Sequence, residues 1–199
     1  MAGGALNITV FGASGRIGRL VVEMALSHGH KVTAYGRRHH NAEPQADNLQ
    51  WVVGELADIE QIGRAVAGAD IVISTLGPAL DCSRKRKGTP IADGHAAILK
   101  AMREHGKRRL VTLATPTVRS REDGRFLATL LPGFLARILF PNACRDILET
   151  GRVVVASDVD WTIVRIIDPN AKHNGNGYGV SLGDRPAGMA VSRANVAAF

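Results

Sequence analysis

An apolar strand pattern, Asn7-Ile-Thr-Val-Phe11, runs directly into glycines at positions 12, 15 and 18, and no other stretch constrains the fold as strongly. Glycine permits a sharp turn and lets the backbone approach a ligand without a Cβ in the way. A helix starting there aims its free N–H groups at phosphates. Because glycine supplies 22 of 199 residues, three of them alone say little. The flanking pattern strengthens the signal: Ile17, Leu20, Val21, Met24 and Ala25 recur at helical spacing, and His28-Gly29 reads as the helix end. A second strand, Lys31–Tyr35, follows at once. Strand, glycine loop, helix and strand form a dinucleotide-binding unit in which Gly12, Gly15 and Gly18 cradle a pyrophosphate; the competing reading is a glycine turn without a ligand.

The tip of the second strand distinguishes between dinucleotides. An NAD site places Asp or Glu there, roughly 20 residues after the glycines, to accept hydrogen bonds from the ribose hydroxyls. Here the strand ends Tyr35-Gly-Arg-Arg-His-His40 and the nearest acid is Glu43. A carboxylate repels a 2′-phosphate and a guanidinium binds it bidentately, so Arg37 and Arg38 predict NADP(H). Ser14, inside the glycine loop, is placed to add a hydroxyl to the same phosphate. The competing reading makes Arg37-Arg38 a solvated turn.

Strands and helices keep alternating through the rest of the chain, without a linker, repeat or low-complexity tract. Leu49–Val53 reads as a third strand, and Asp58 caps a helix reaching Ala67. Ala69–Leu76 is an apolar strand, Pro90 opens a helix closed by Gly106, and Arg109–Thr115 and Trp161–Arg165 are further strands. This alternation predicts a single α/β domain over residues 1–199, a Rossmann-type doubly wound, mostly parallel sheet with helices on both faces. Right-handed crossovers bring every loop after a strand to one edge. That edge gathers Gly54–Asp58, Ser74–Pro78, Ala114–Thr117 and Ile166–Pro169. Leu76, Gly77 and Thr115 then fall near a nicotinamide ribose. The apolar, proline-punctuated stretch at about 119–143 interrupts the alternation and predicts short helices flanking a substrate mouth. There Phe126, Phe134 and Phe140 either cover a flat acceptor or form a subunit contact.

With 45% hydrophobic residues the chain buries a full core, and its two cysteines, Cys82 and Cys144, lie outside any metal-ligand spacing. The N-terminus lacks the basic start and apolar run of a signal peptide, and no stretch approaches a membrane span, so the expectation is a soluble, cytoplasmic protein with no membrane partner. A formal charge of +7 concentrates at Arg37-Arg38, Arg84–Lys87 and Lys107–Arg109. The first belongs to the cofactor and the third to a solvated connection. The second follows a strand and either gathers an anion at the ligand edge or is an exposed loop. None of the five Phe, two Trp and two Tyr interleaves with these basic residues, so base stacking, and with it nucleic-acid binding, has little support. The seven histidines form no metal spacing and read as surface or capping residues. The sequence closes at Phe199 as a last amphipathic helix begins, a pattern that fits a shortened chain or an unusual terminus.

Phe11-Gly-Ala-Ser-Gly-Arg-Ile-Gly18, Arg37, Gly54-Glu-Leu-Ala-Asp58, Asp160-Trp-Thr-Ile-Val-Arg165, Tyr178–Gly183 and Val191–Ala198 together resemble the atypical short-chain dehydrogenase/reductases of the NmrA-like group. The similarity is strongest to its small NAD(P)H-binding members related to biliverdin reductase B, or flavin reductase, and it covers nearly the whole chain. The glycine loop is shared by many families, whereas the Asp-Trp-Thr-Ile-Val-Arg strand characterises this branch. The resemblance implies pyrophosphate contacts at Gly12, Arg16 and Ile17, a 2′-phosphate at Ser14 and Arg37, adenine near Glu55 and Leu56, and nicotinamide ribose near Leu76, Gly77 and Thr115. The chain departs from the family pattern at Glu55, commonly Asp, and at Ile166, commonly Pro.

Typical short-chain dehydrogenases protonate a substrate carbonyl with a Tyr whose pKa is lowered by a Lys four residues on. This chain has only Tyr35, on the second strand, and Tyr178, which begins a late strand; neither has Lys at that spacing, and the segment where the pair is expected, Asn142–Glu149, contains neither residue. Flavins, quinones and linear tetrapyrroles accept hydride with little proton help, the protein mainly aligning the two partners. Thr115, where such enzymes place Ser, is the candidate catalytic group; the competing reading is a hydroxyl that satisfies its own backbone. The sequence thus predicts an NADPH-dependent reductase of a small flat acceptor, working as a monomer or homodimer. Two alternatives remain: an NADP(H)-sensing regulator without turnover, and a nucleic-acid binder whose affinity falls steeply with salt.

Overall fold

The computed structural model describes residues 4–38, 46–80, 82–83, 85, 88–120, 123, 134, 136–166, 169–170, 177–182 and 191–199. The apolar runs become strands β1 (Asn7–Phe11), β2 (Lys31–Gly36), β3 (Leu49–Val53), β4 (Ile71–Ser74), β5 (Arg109–Ala114) and β6 (Asp160–Arg165). All six pair in parallel in the order β3-β2-β1-β4-β5-β6. The order reverses at β1, where Phe11 has Tyr35 on one side and Ser74 on the other. A crevice opens at such a reversal, beyond the carboxyl ends of the strands.

Helices α1 (Gly18–Ser27), α2 (Ile59–Ala67), α3 (Pro90–Glu104), α4 (Pro141–Val155) and α5 (Arg193–Ala198) cover the sheet. Side chains alternate along a strand, so β1 to β4 feed two cores. One joins Ile8, Val10, Val32 and Ala34 to Val21, Val22 and Ala25 of α1. The other joins Phe11, Tyr35, Val72 and Leu110 to Ile62 and Val66 of α2, Ile98 and Met102 of α3 and Val154 of α4. Two short strands, β7 (Pro169–Asn170) and β8 (Val191–Ser192), pair separately in parallel.

Helix starts are fixed by different means. Asp58 caps α2 as its sequence position predicts, accepting from the Gln61 N–H at 3.1 Å. Thr89, before Pro90, makes no such bond. Buried Asp146 of α4 takes over, its two oxygens accepting from Ala92 N–H at 2.9 Å and Ile91 N–H at 3.2 Å. Those amides belong to the first turn of α3, which has no internal partners for them.

The stretch beginning at Tyr178, expected as a late strand, is not one over residues 177–182. Tyr178, Val180 and Leu182 are exposed, and the Tyr178 hydroxyl donates to Ala198 O at 3.2 Å. Of the expected segment at 119–143, residues 136–139 are helical and α4 begins at Pro141. Phe134 is exposed, Phe140 precedes α4, and Phe126 lies outside the described residues.

Candidate dinucleotide-binding site

The turn leaving β1 is held by backbone. The N–H groups of Gly12 and Ala13 both donate to Tyr35 O, at 3.1 and 3.2 Å, and Gly15 N–H donates to Gly12 O at 2.8 Å. Gly12 has φ +78°, in the left-handed region that favours glycine. At Gly18, the first residue of α1, a Cβ would stand 2.2 Å from Gly12 O. Helix and turn therefore approach more closely than any side chain allows. Arg16 is exposed, Ile17 immediately precedes α1, and no side chain caps that helix.

Thr75 closes the turn from the other side. Its hydroxyl lies 3.0 Å from Phe11 O and 3.2 Å from Gly12 O, and its N–H donates to Phe11 O at 2.9 Å. The sequence pattern puts this loop at the ligand edge but points to Leu76 and Gly77 rather than to Thr75. A threonine directly after an apolar strand was the available signal.

Ser14 and the end of β2 meet at one corner. A Cβ on Gly36 would lie 3.2 Å from Ser14 Oγ, and Arg37 and Arg38 follow, both exposed. His39, His40 and Glu43 lie outside the described residues. Beside this corner, the Tyr35 hydroxyl donates to Glu55 O at 2.8 Å and fixes the loop after β3. Burial, reinforced by the charges of Asp58 and Glu55, pushes the Tyr35 phenol up to about 12. It stays protonated at neutral pH and acts as a structural donor. Glu55 is exposed, whereas Leu56 is half-buried with its side chain turned toward α3, where a Cβ on Gly94 would come within 2.9 Å of it.

Across the reversal point, Leu76 is half-buried against the core and Gly77 is exposed. Thr115 follows β5, its hydroxyl 2.6 Å from that of Thr117. Arg165, at the end of β6 beside Ala114, pairs through both guanidinium nitrogens with Asp123, one contact at 2.8 Å, and also donates to Val118 O at 3.3 Å. The Arg165 guanidinium holds the Asp123 carboxyl below its ordinary value, and the two-nitrogen pair ties Asp123 to the end of β6.

His95 was missed. The histidines were expected at the surface or in caps, and His28 does lie 2.8 Å from Met24 O at the end of α1, while His105 is the residue that ends α3. His95 is instead fully buried on α3. Its Nε2 is 2.9 Å from Ser74 Oγ and 3.0 Å from Thr112 Oγ1. The available signal was its place on the apolar stripe of Ala92, Ile98, Leu99 and Met102.

The segment expected to hold a Tyr–Lys pair forms the first turns of α4. There Asn142 donates to Ser83 O at 2.8 Å and Lys85 O at 3.0 Å, while Asp146 caps α3. Arg84, Arg86 and Lys87 of the second basic cluster lie outside the described residues. Among those described, no three His, Cys, Asp or Glu are grouped to hold a metal, and no helix is long and apolar enough to cross a membrane.

The glycine turn, the Ser14–Arg38 corner, the Glu55–Leu56 loop, Leu76–Gly77 and Thr115 thus share one sheet edge. A family model described as NAD(P)H-binding matches residues 12–199. The chain belongs to this NAD(P)H-binding family.

Solved structures agree on the fold. A short-chain dehydrogenase/reductase from Veillonella parvula, in complex with NADP, superposes with TM-score 0.77 at 20% identity, over 97% of this chain and 84% of that one. ChuY, an anaerobillin reductase from Escherichia coli O157:H7, gives TM-score 0.74 at 22% identity, over 96% and 87%. Among curated relatives, an uncharacterized Mycobacterium tuberculosis protein is 32% identical over 108 residues, 53% of this chain and 12% of that protein. A 2-alkyl-3-oxoalkanoate reductase from Stenotrophomonas maltophilia is 31% identical over 119 residues, 58% of this chain and 35% of the enzyme. This member of the NAD(P)H-binding family therefore spans a small part of the mycobacterial relative and about a third of the reductase.

Proposed function

We propose that the chain is an NADPH-dependent reductase that passes hydride to a flat conjugated acceptor of the flavin, quinone or tetrapyrrole type. The observation that carries this reading is that both tyrosine hydroxyls are bound to backbone carbonyls, Tyr35 to Glu55 and Tyr178 to Ala198. Neither phenol is free to donate a proton to a substrate carbonyl, so the reading favours an acceptor that needs little proton help. NADPH supplies the hydride when bound.

In this reading Gly12, Gly15, Gly18, Arg16 and Ile17 hold the pyrophosphate, and Ser14, Arg37 and Arg38 hold the 2′-phosphate. Glu55 and Leu56 border the adenine; Leu76 and Gly77 border the nicotinamide ribose. The Thr115 hydroxyl, relayed to Thr117, orients the acceptor or the nicotinamide. The NADP complex of the Veillonella protein and the name of ChuY support the cofactor and acceptor classes by analogy of fold.

The test is oxidation of NADPH and, in parallel, NADH by the purified chain against flavins, quinones, biliverdin and a 3-oxo acid, the last prompted by the name of the Stenotrophomonas relative. Turnover of a conjugated acceptor with preference for NADPH is expected. Turnover of the 3-oxo acid alone overturns the acceptor class. Tight NADPH binding with no acceptor consumed replaces the reductase with an NADP(H)-responsive regulator.

A further inference from the structure

We infer that His95 is a positioning residue that fixes the ends of β4 and β5 relative to each other and to α3, and so sets the nicotinamide side of the site. Its turnover readout rests on the reductase reading; its binding readout rests only on membership of the NAD(P)H-binding family.

The His95 ring makes directed contacts on both sides. Nδ1 lies 2.8 Å from Ile91 O, one turn back on α3. A carbonyl only accepts, so the hydrogen-bond pattern assigns the proton to Nδ1 and leaves Nε2 with a lone pair. Ser74 and Thr112 both present hydroxyls to that lone pair, and they are register partners across β4 and β5. Burial pushes the His95 pKa down, outweighing the Ile91 carbonyl and the Asp146 charge, which both favour the cation, and this keeps the lone pair available.

Position gives this network its meaning. Ser74 ends β4 and leads directly into Thr75-Leu76-Gly77, and Thr112 lies three residues before Thr115. An apolar side chain would fill the same space without the cost of burying three polar groups. What the imidazole adds is direction: hydrogen bonds hold a spacing that an apolar wall allows to slide. Together with the Asp146 cap on its first turn, the His95 contact ties α3 at a second point. Misplacement of about 1 Å between reacting groups is worth orders of magnitude in rate.

Three variants test the inference: His95→Leu removes the polar contacts, His95→Gln keeps an acceptor near the Nε2 position, and Ser74→Ala/Thr112→Val removes the hydroxyls from the other side. Each is measured for NADPH Kd, for the emission of bound NADPH, which reports the surroundings of the nicotinamide, and for kcat and KM with the best acceptor. In His95→Leu, NADPH Kd is expected to stay within about three-fold, because the phosphate contacts lie elsewhere, while kcat falls about ten-fold and the emission shifts. His95→Gln should recover most of both. The double variant should reproduce His95→Leu, and it decides the matter if His95→Leu does not fold. Wild-type emission and kcat in folded His95→Leu, or no recovery in His95→Gln, overturn the inference. A wild-type protein that consumes no acceptor counts against the reductase reading alone, and the emission measurement still decides the role of His95.

Discussion

Replacing glycines in the loop after β1 one at a time should separate folding from cofactor binding. At Gly18 the methyl of alanine would stand 2.2 Å from Gly12 O and 2.8 Å from Gly12 C. Cβ atoms essentially never come within 3.0 Å of another heavy atom, so the methyl is roughly 0.8 Å too close to backbone that cannot rotate aside. Overpacking of this kind costs about 1–3 kcal/mol and occasionally more, whereas the helix-propensity gain of alanine over glycine is at most about 1 kcal/mol. Taking the upper end gives a net loss of about 2 kcal/mol. In a domain of this size that lowers Tm by roughly 4–8 °C. Displacing α1 also moves its N-terminus, so NADPH affinity should fall at least ten-fold by the same shift. At Gly15 the nearest atom to a new methyl is Gly12 O at 3.0 Å, and the backbone is not left-handed. Gly15→Ala should therefore keep Tm within about 2–3 °C, equivalent to less than about 1 kcal/mol, while the methyl blocks the surface that phosphates approach and costs about ten-fold in affinity. Thermal melts with and without NADPH, together with titrations of both variants, check the pair. A Gly18→Ala protein with wild-type Tm refutes the steric argument, and a Gly15→Ala protein with wild-type affinity refutes the assignment of the loop.

Further substitutions probe the other corners. Arg37→Asp should weaken NADPH binding about 10–100-fold, the worth of a hydrogen bond to a charged group, and change NADH binding less than about three-fold; equal losses in parallel titrations would remove the 2′-phosphate assignment. Tyr35→Phe leaves Glu55 O without its donor and should cost about 1–2 kcal/mol of stability in denaturant melts, with a weaker grip on the adenosine end; an unchanged melt would mean that the loop after β3 is held by other contacts. Stability should also fall with acidity. The His95 pKa is lowered by folding, so the unfolded chain binds the extra proton first. Its contribution is complete above the ordinary value of 6.5 and is lost as pH drops below it, approaching about 1.4 kcal/mol per pH unit for one proton. Asp123, also depressed, adds a second loss below its ordinary 3.8. Melts between pH 8 and pH 5, about the window of the histidine step, should show a slope that His95→Gln flattens, and an equal slope in that variant would assign it to other groups.

How much of this was legible in sequence depended on how local the cause was. The strands showed as apolar runs, and α1 as an apolar stripe between two glycine signals. Asp58 read correctly as a cap because it bonds within its own turn, to Gln61. The start of α3 read correctly from Pro90, but its cap did not, because Asp146 comes from a helix more than fifty residues later. His95 looked like any helical histidine; what makes it special is a pair of hydroxyls on two strands, a coincidence that only the folded register of Ser74 and Thr112 reveals. Tyr178 read as the start of a late strand, yet residues 177–182 form none, and the Tyr178 hydroxyl is held instead by Ala198 O. The glycine loop stood out because its requirement is steric and lies within seven residues.

The two sides of the reversal point are built by different means, and this bears on how such a site can change. Between β1, β2 and β3 the grip is largely backbone on backbone: Gly12 and Ala13 on Tyr35, Gly54 N–H on Gly36 O at 3.1 Å, with the Tyr35 hydroxyl as the side-chain tie. Such contacts survive most substitutions, since every residue except proline carries the same donor. Between β4, β5 and β6 the ties are side chains: His95 on Ser74 and Thr112, Arg165 on Asp123, Asn142 on the carbonyls of Ser83 and Lys85. Each can be exchanged alone, moving a loop while leaving the glycine turn intact. Thr75 spans the divide, with its hydroxyl on Phe11 O and Gly12 O and its chain continuing into Leu76 and Gly77. On the proposed reading, a dinucleotide half fixed by backbone and an acceptor half fixed by side chains, joined at Thr75, would let acceptor preference change while cofactor binding is retained.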